Sequence, residues 1–190
     1  MRIRVSFGLL VLTPMLLAGL AQAESEYGTG EPTFYLAASG LIATEGSPWD
    51  WGDRVRGGAN LRMGFRLGAP LAFELQGDYI NLKDWREDSR WDMTLNFRVY
   101  PTQLELIEDL VMDMVPDTLQ PYAVAGVGVM GGSPSDDKYQ LSGAFRLGLG
   151  LDIYATEQMA VSLGYEWVFG TSYWSDSEAQ NLTLGLQYNF

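Results

Sequence analysis

Along most of the chain apolar and polar residues alternate one for one, the two-residue period of a β-strand with one apolar face. The last run is the clearest. There Leu182, Leu184, Leu186, Tyr188 and Phe190 alternate with Thr183, Gly185, Gln187 and Asn189. Gly58 to Leu67 sets Ala59, Leu61, Met63, Phe65 and Leu67 against Asn60, Arg62, Gly64 and Arg66. Leu71 to Tyr79 sets Leu71, Phe73, Leu75 and Tyr79 against Glu74, Gln76 and Asp78. In Trp91 to Tyr100, Trp91, Met93, Leu95, Phe97 and Val99 stand opposite Asp92, Thr94, Asn96 and Arg98. Leu141 to Ile153 and Met159 to Trp167 repeat the pattern, with Arg146, Asp152 and Glu166 on their polar faces. Two further strands are expected at Thr33 to Leu41, the least regular, and at Pro121 to Met130, rich in Gly, Ala and Val. The pattern does not assign the facing of these two.

Breakers separate the runs. Ala43 to Arg56, Ile80 to Arg90, Gly131 to Tyr139 and Phe169 to Gln180 are long and charged, whereas Gly68-Ala69-Pro70 and Ala155-Thr156-Glu157 are short turns. Pro101 to Leu119 changes period: Leu104, Ile107, Val111 and Met114 fall three and four apart among acidic residues, which predicts a short amphipathic helix between the fourth and fifth strands. The strands are roughly ten residues long, enough for a tilted strand to cross a bilayer. Their even number and the alternation of long and short connections predict an all-β fold, an eight-stranded antiparallel up-and-down transmembrane barrel with that helix on the short-turn side.

A soluble barrel with its apolar face inward has the same alternation. Residue size separates the two readings. The polar face mixes long arginines with Gly64, Gly148, Gly150, Gly164 and Gly185, as a narrow interior must and a solvated exterior need not. Arg62, Arg66, Arg98 and Arg146 then share that interior with Glu74, Asp78, Asp92, Asp152 and Glu166, and buried charges require partners. A three-residue turn at Gly68 to Pro70 places Glu74 opposite Gly64, with Arg62 and Arg66 on its diagonals, and Asp78 and Asp92 approach each other near the outer mouth. A three-residue turn at Ala155 to Glu157 places Arg146 directly opposite Glu166, a pair whose joint removal should be near neutral where removal of one partner is not.

The start of the chain has its own logic. Arg2 and Arg4 precede an apolar run to Leu20 that contains Pro14, and Ala21-Gln22-Ala23 closes it, so residues 1–23 read as a cleaved signal peptide and residues 24–190 as the barrel domain. With 12 basic against 24 acidic residues, nucleic acid is excluded as a partner. The chain has no His and no Cys, which removes Ser-His-Asp and Cys-His nucleophilic sites, His-containing metal centres and disulfides. No cofactor or metal is expected. The acidic loops lack Asp-x-Asp-x-Asp-Gly spacing, and with Trp49, Trp51, Trp85, Tyr173 and Trp174 they read as a solvated rim, the alternative being a surface for a partner or for divalent cations that bridge lipopolysaccharide.

Asn96 to Pro101, Gln120 to Gly128, Gly148 to Asp152, Leu163 to Tyr165 and the final strand together resemble the outer-membrane β-barrel domain family of small OmpA-like barrels. The alternation that ends on Phe190 resembles the C-terminal signal of bacterial outer-membrane barrels, carried here by Leu182, Leu184, Leu186, Tyr188 and Phe190. The resemblance implies residence in the outer membrane with both termini periplasmic, assembly by the barrel-assembly machinery, and contact with outer-membrane lipids and lipopolysaccharide. Outer-membrane barrel enzymes of the deacylase, palmitoyltransferase and omptin families use a histidine that this chain lacks. The expectation is therefore a monomeric, non-enzymatic barrel with a structural or surface-interaction role and a charge-filled, non-conducting interior. The alternatives are a narrow channel or carrier for small or apolar solutes and, more distantly, an outer-membrane enzyme.

Overall fold

The computed structural model describes residues 33–45, 55–68, 70–82, 88–101, 118–132, 140–171 and 179–190. The signal peptide, the helix expected over residues 104–114 and the loop aromatics Trp49, Trp51, Trp85, Tyr173 and Trp174 lie outside these residues. The described strands are β1 (Thr33–Glu45), β2 (Val55–Gly68), β3 (Leu71–Leu82), β4 (Asp88–Val99), β5 (Leu119–Gly132), β6 (Gln140–Tyr154), β7 (Met159–Thr171) and β8 (Ala179–Asn189). Each pairs antiparallel with the next, and β8 returns to β1, so the sheet closes and leaves no edge. One end of the barrel carries the short β2–β3 and β6–β7 turns and is called the turn end; the other is the loop end.

Most strands run further toward the loop end than their alternation predicts. β3 continues to Leu82 and β4 begins at Asp88, with Asn81 paired to Ser89. Backbone groups still need partners there. The outward side chains have become polar, so the apolar rhythm ends before the ladder does.

Facing follows parity around the whole circle. Outward Leu95 and Leu184 are 58% and 60% exposed, whereas inward Arg98 and Arg146 are 0% exposed. A soluble barrel would have the reverse. A continuous outward belt of leucine, phenylalanine and valine around a charged centre is stable only in hydrocarbon, where a closed sheet satisfies every backbone group internally.

The two strands whose facing the alternation leaves open have a physical reason for it. Inward positions of β1 include Tyr35, Ala37, Leu41 and Ala43, and those of β5 include Tyr122, Val124 and Met130, so both of their faces are largely apolar. The two tyrosines are placed by glycines. Tyr35 pairs with Gly64 and Tyr122 with Gly150, and a Cβ on either glycine would lie about 2 Å from the ring. Each ring thus lies against the barrel wall in the space the absent side chain leaves.

The β6–β7 register differs from the expected one by two residues. Tyr154 pairs with Ala160, Gly148 with Glu166 and Arg146 with Val168. The turn is built on Thr156, whose hydroxyl accepts the Met159 N–H at 3.0 Å, while the Ala155 N–H donates to the Met159 carbonyl at 2.9 Å. Its centre therefore lies one residue later than the Ala155-Thr156-Glu157 reading. Moving a turn centre by one residue moves the register by two, so every side chain keeps its face.

Candidate functional site

The charged interior divides into two clusters. The turn-end cluster is centred on Arg98 of β4, which lies 2.7 Å from Glu74 and 3.3 Å from Asp152. Glu74 also accepts the Tyr35 hydroxyl at 2.8 Å and the Asn96 amide at 3.3 Å. Asp152 accepts the Tyr100 hydroxyl at 3.1 Å and the Ser162 hydroxyl at 2.7 Å. Aromatic faces solvate part of the positive charge: Arg98 sits 3.9 Å over the Tyr122 ring and Arg66 sits 4.1 Å over Tyr100. Arg66 is not within reach of Glu74; it donates to Gln120 at 3.1 Å and Tyr154 at 3.0 Å. Arg62 approaches Glu74 only to 3.9 Å. Glu74 thus stands opposite Gly64 and keeps the expected diagonal partner Arg62 at long range, while its close partner is Arg98 on β4 rather than Arg66.

Nearer the loop end, Arg146 of β6 reaches across the barrel. It bonds Asp78 of β3 at 2.9 Å and also pairs with Asp92 of β4 and Glu166 of β7. Asp78 and Asp92 are direct cross-strand neighbours, an arrangement that is repulsive unless a cation lies between them. Asn60 and Asn181 donate to Asp78, and Gln76 donates to Glu166 at 2.8 Å. Asn96 donates to the Gln76 carbonyl at 2.8 Å and so links the two clusters.

Arg90 joins the second cluster, 3.9 Å from Asp92 and fully buried. The breaker pattern assigns Arg90 to a loop, yet it stands two residues before Asp92 on the same face of β4. That parity was the available signal. Among the described residues, Arg62, Arg66, Arg90, Arg98 and Arg146 now balance Glu74, Asp78, Asp92, Asp152 and Glu166. The turn-end cluster carries one excess positive charge and the loop-end cluster one excess negative charge.

Toward the loop end inward apolar residues share rungs with the arginines: Ile80 pairs with Arg90, Val168 with Arg146 and Ala43 with Arg56. Leu41, Ala43 and Ile80 form one buried group and Met130, Ala144 and Val168 another, with Ala179 buried beside them. Together they come from six strands. Ser142, paired with Met130, sets a buried hydroxyl among them.

Chemically this arrangement is a set of compensated charges. Each carboxylate is engaged by a cation or a hydrogen-bond donor, and among the described residues no grouping of carboxylates is spaced to hold a metal ion. The residues of the final run form the seam. Leu182, Leu184, Leu186 and Tyr188 face outward on β8, the Phe190 N–H donates to the Phe34 carbonyl at 2.9 Å, and the two rings lie 5.8 Å apart.

Comparison with known proteins agrees with this geometry. The family model described as outer membrane protein beta-barrel domain matches residues 9–190. Among solved structures, the chain is similar to Neisserial surface protein A, with a TM-score of 0.65 and 14% identity over 84% of this chain and 99% of that one. The outer membrane protein OprG of Pseudomonas aeruginosa matches with a TM-score of 0.55 and 13% identity over 87% and 99%. The N-terminal barrel domain of OprF from the same organism matches with a TM-score of 0.52 and 15% identity over 84% and 100%. At these identities the likeness shows the fold. Among curated proteins, none matches the sequence.

Proposed function

The chain belongs to the outer membrane protein beta-barrel domain family, and from that premise we propose that it is a non-enzymatic outer-membrane barrel with a structural or surface-interaction role and a closed interior. It is exported by a cleaved signal peptide, assembled by the barrel-assembly machinery through the β8 seam, and held as a monomer with the turn end in the periplasm. Its outward belt meets outer-membrane lipid, and its loops meet lipopolysaccharide. The observation that supports a closed interior best is the filling itself: ten buried charges that balance, interleaved with buried apolar side chains contributed by six strands. An eight-stranded barrel has room for side chains or for a narrow path, not both.

One observation favours the alternative of a narrow channel. The guanidinium nitrogens of Arg62 and Arg90 make no hydrogen bond among the described residues, and a hydrated path would satisfy them. Solute release from vesicles separates the readings. Vesicles loaded with a small sugar or an amino acid and bearing the folded barrel should retain their contents as protein-free vesicles do. Release that scales with the amount of folded barrel would contradict the closed reading.

A further inference from the structure

We infer that the outward face of β5 is a groove that holds one acyl chain of a phospholipid, a site that rests on the membrane reading above and adds a ligand to it. On its outward face β5 presents Ala123, Ala125 and Val127 in a row, flanked by two recesses, whereas the small outward residues of β1, Ala38 and Gly40, line neither of them. Each is flanked on both sides. Ala125 pairs with Phe97 on β4 and Leu147 on β6, Ala123 with Val99 and Leu149, and Val127 with Leu95 and Phe145. Three successive rungs of small between large make a trough along the strand. It contains two recesses of about 520 and 350 Å³ that meet at Phe97, Ala125 and Leu147, with Phe73 and Trp167 extending the walls.

The shape selects the occupant. The trough runs roughly 13 Å along β5 from Ala123 to Val127, and its walls are strands two spacings apart, roughly 10 Å between backbones. Side chains narrow that further, so an α-helix of about 10–12 Å diameter does not fit. A second barrel would need about 20–30 residues a side, and the trough involves three strands' short segments. No polar side chain faces outward in it, which leaves an unbranched hydrocarbon chain. The ends are unequal. At the loop end Trp91 pairs with Gly131, and its ring packs so closely over that glycine that a Cβ there would lie 2.7 Å from it, which stops the trough. A chain therefore enters from the turn end, and with that end periplasmic the leaflet on that side supplies phospholipid rather than lipopolysaccharide.

The test folds the full mature chain into vesicles of phosphatidylethanolamine and phosphatidylglycerol containing a minor fraction of lipopolysaccharide, extracts it in mild detergent and identifies retained lipid by native mass spectrometry. The wild type should keep a bound phospholipid. Ala125→Trp, which fills the trough, should lower that retention by at least about tenfold. The milder Ala125→Leu serves if the larger residue prevents folding, and Leu184→Trp on the outward face of β8 should leave retention unchanged. Equal retention in wild type and filled variants, or none in either, overturns the groove. Preferential retention of lipopolysaccharide overturns entry from the turn end, and a dimer lost on filling makes a second copy the occupant. Failure of the wild type to insert at all would sink the membrane reading instead.

Discussion

The two ion clusters inside the barrel are held together in different ways. At the turn end the load is shared: Glu74 is engaged by Arg98, Tyr35 and Asn96, and Asp152 by Arg98, Tyr100 and Ser162. Toward the loop end Arg146 is the one cation in close contact with Asp78, Asp92 and Glu166, with Arg90 standing off at 3.9 Å and amides completing Asp78 and Glu166. Tyrosine makes the difference. Its hydroxyl donates to a carboxylate and its ring faces a guanidinium, so it pairs with both signs without adding a charge. The loop-end cluster has no tyrosine, only amides, and depends on one cation.

The sharpest way to break that comparison is Arg146→Met. Removing one partner of a buried pair typically costs about 3–5 kcal/mol, and here three carboxylates lose the same partner, so the loss should reach at least about 5 kcal/mol in urea titrations of the barrel in vesicles. Adding Glu166→Leu should not rescue it, because Asp78 and Asp92 still face each other across the strands. The sequence alone suggests the opposite, since it pairs Arg146 with Glu166 only.

Arg98→Met should be milder, about 3 kcal/mol, because tyrosine, serine and asparagine donors remain on both carboxylates. A loss equal to that of Arg146→Met in the same titration would erase the distinction between the clusters. Gly64→Ala and Gly150→Ala probe the tyrosines that make the turn end redundant. Each new methyl meets a ring, and overpacking of this kind costs about 1–3 kcal/mol. Gly57→Ala on β2, where the space is open, is the matched control. Deleting Phe190 should have the smallest effect on stability, about 1 kcal/mol from one hydrogen bond and its ring contacts, while lowering the amount of assembled barrel in outer-membrane fractions. Normal assembly without it would remove the seam's role.

The alternation in β2, β3, β4, β6, β7 and β8 made strand existence and facing legible, because hydrocarbon on one side and charge on the other leave little freedom at each position. Where the inner face is itself apolar, at Tyr35 and Leu41 or at Tyr122 and Met130, period carries no information. Arg90 was hidden by the breakers around it, although its parity with Asp92 and Arg98 places it inside. Hairpin register can be reasoned from turn residues and still miss by two, as at Thr156. Contacts across the barrel, such as Arg146 with Asp78 and Asp92, depend on how all eight strands are staggered, which no local stretch encodes.

Conductance in planar bilayers tests the closed interior most directly, with the wild type beside the interior variant Ile80→Asn/Val168→Asn. The wild type should show no discrete openings. The variant puts polar side chains in place of two inward apolar ones beside a cluster with one excess carboxylate and should give small, cation-selective openings. Discrete, reproducible openings of the wild-type barrel would contradict the account.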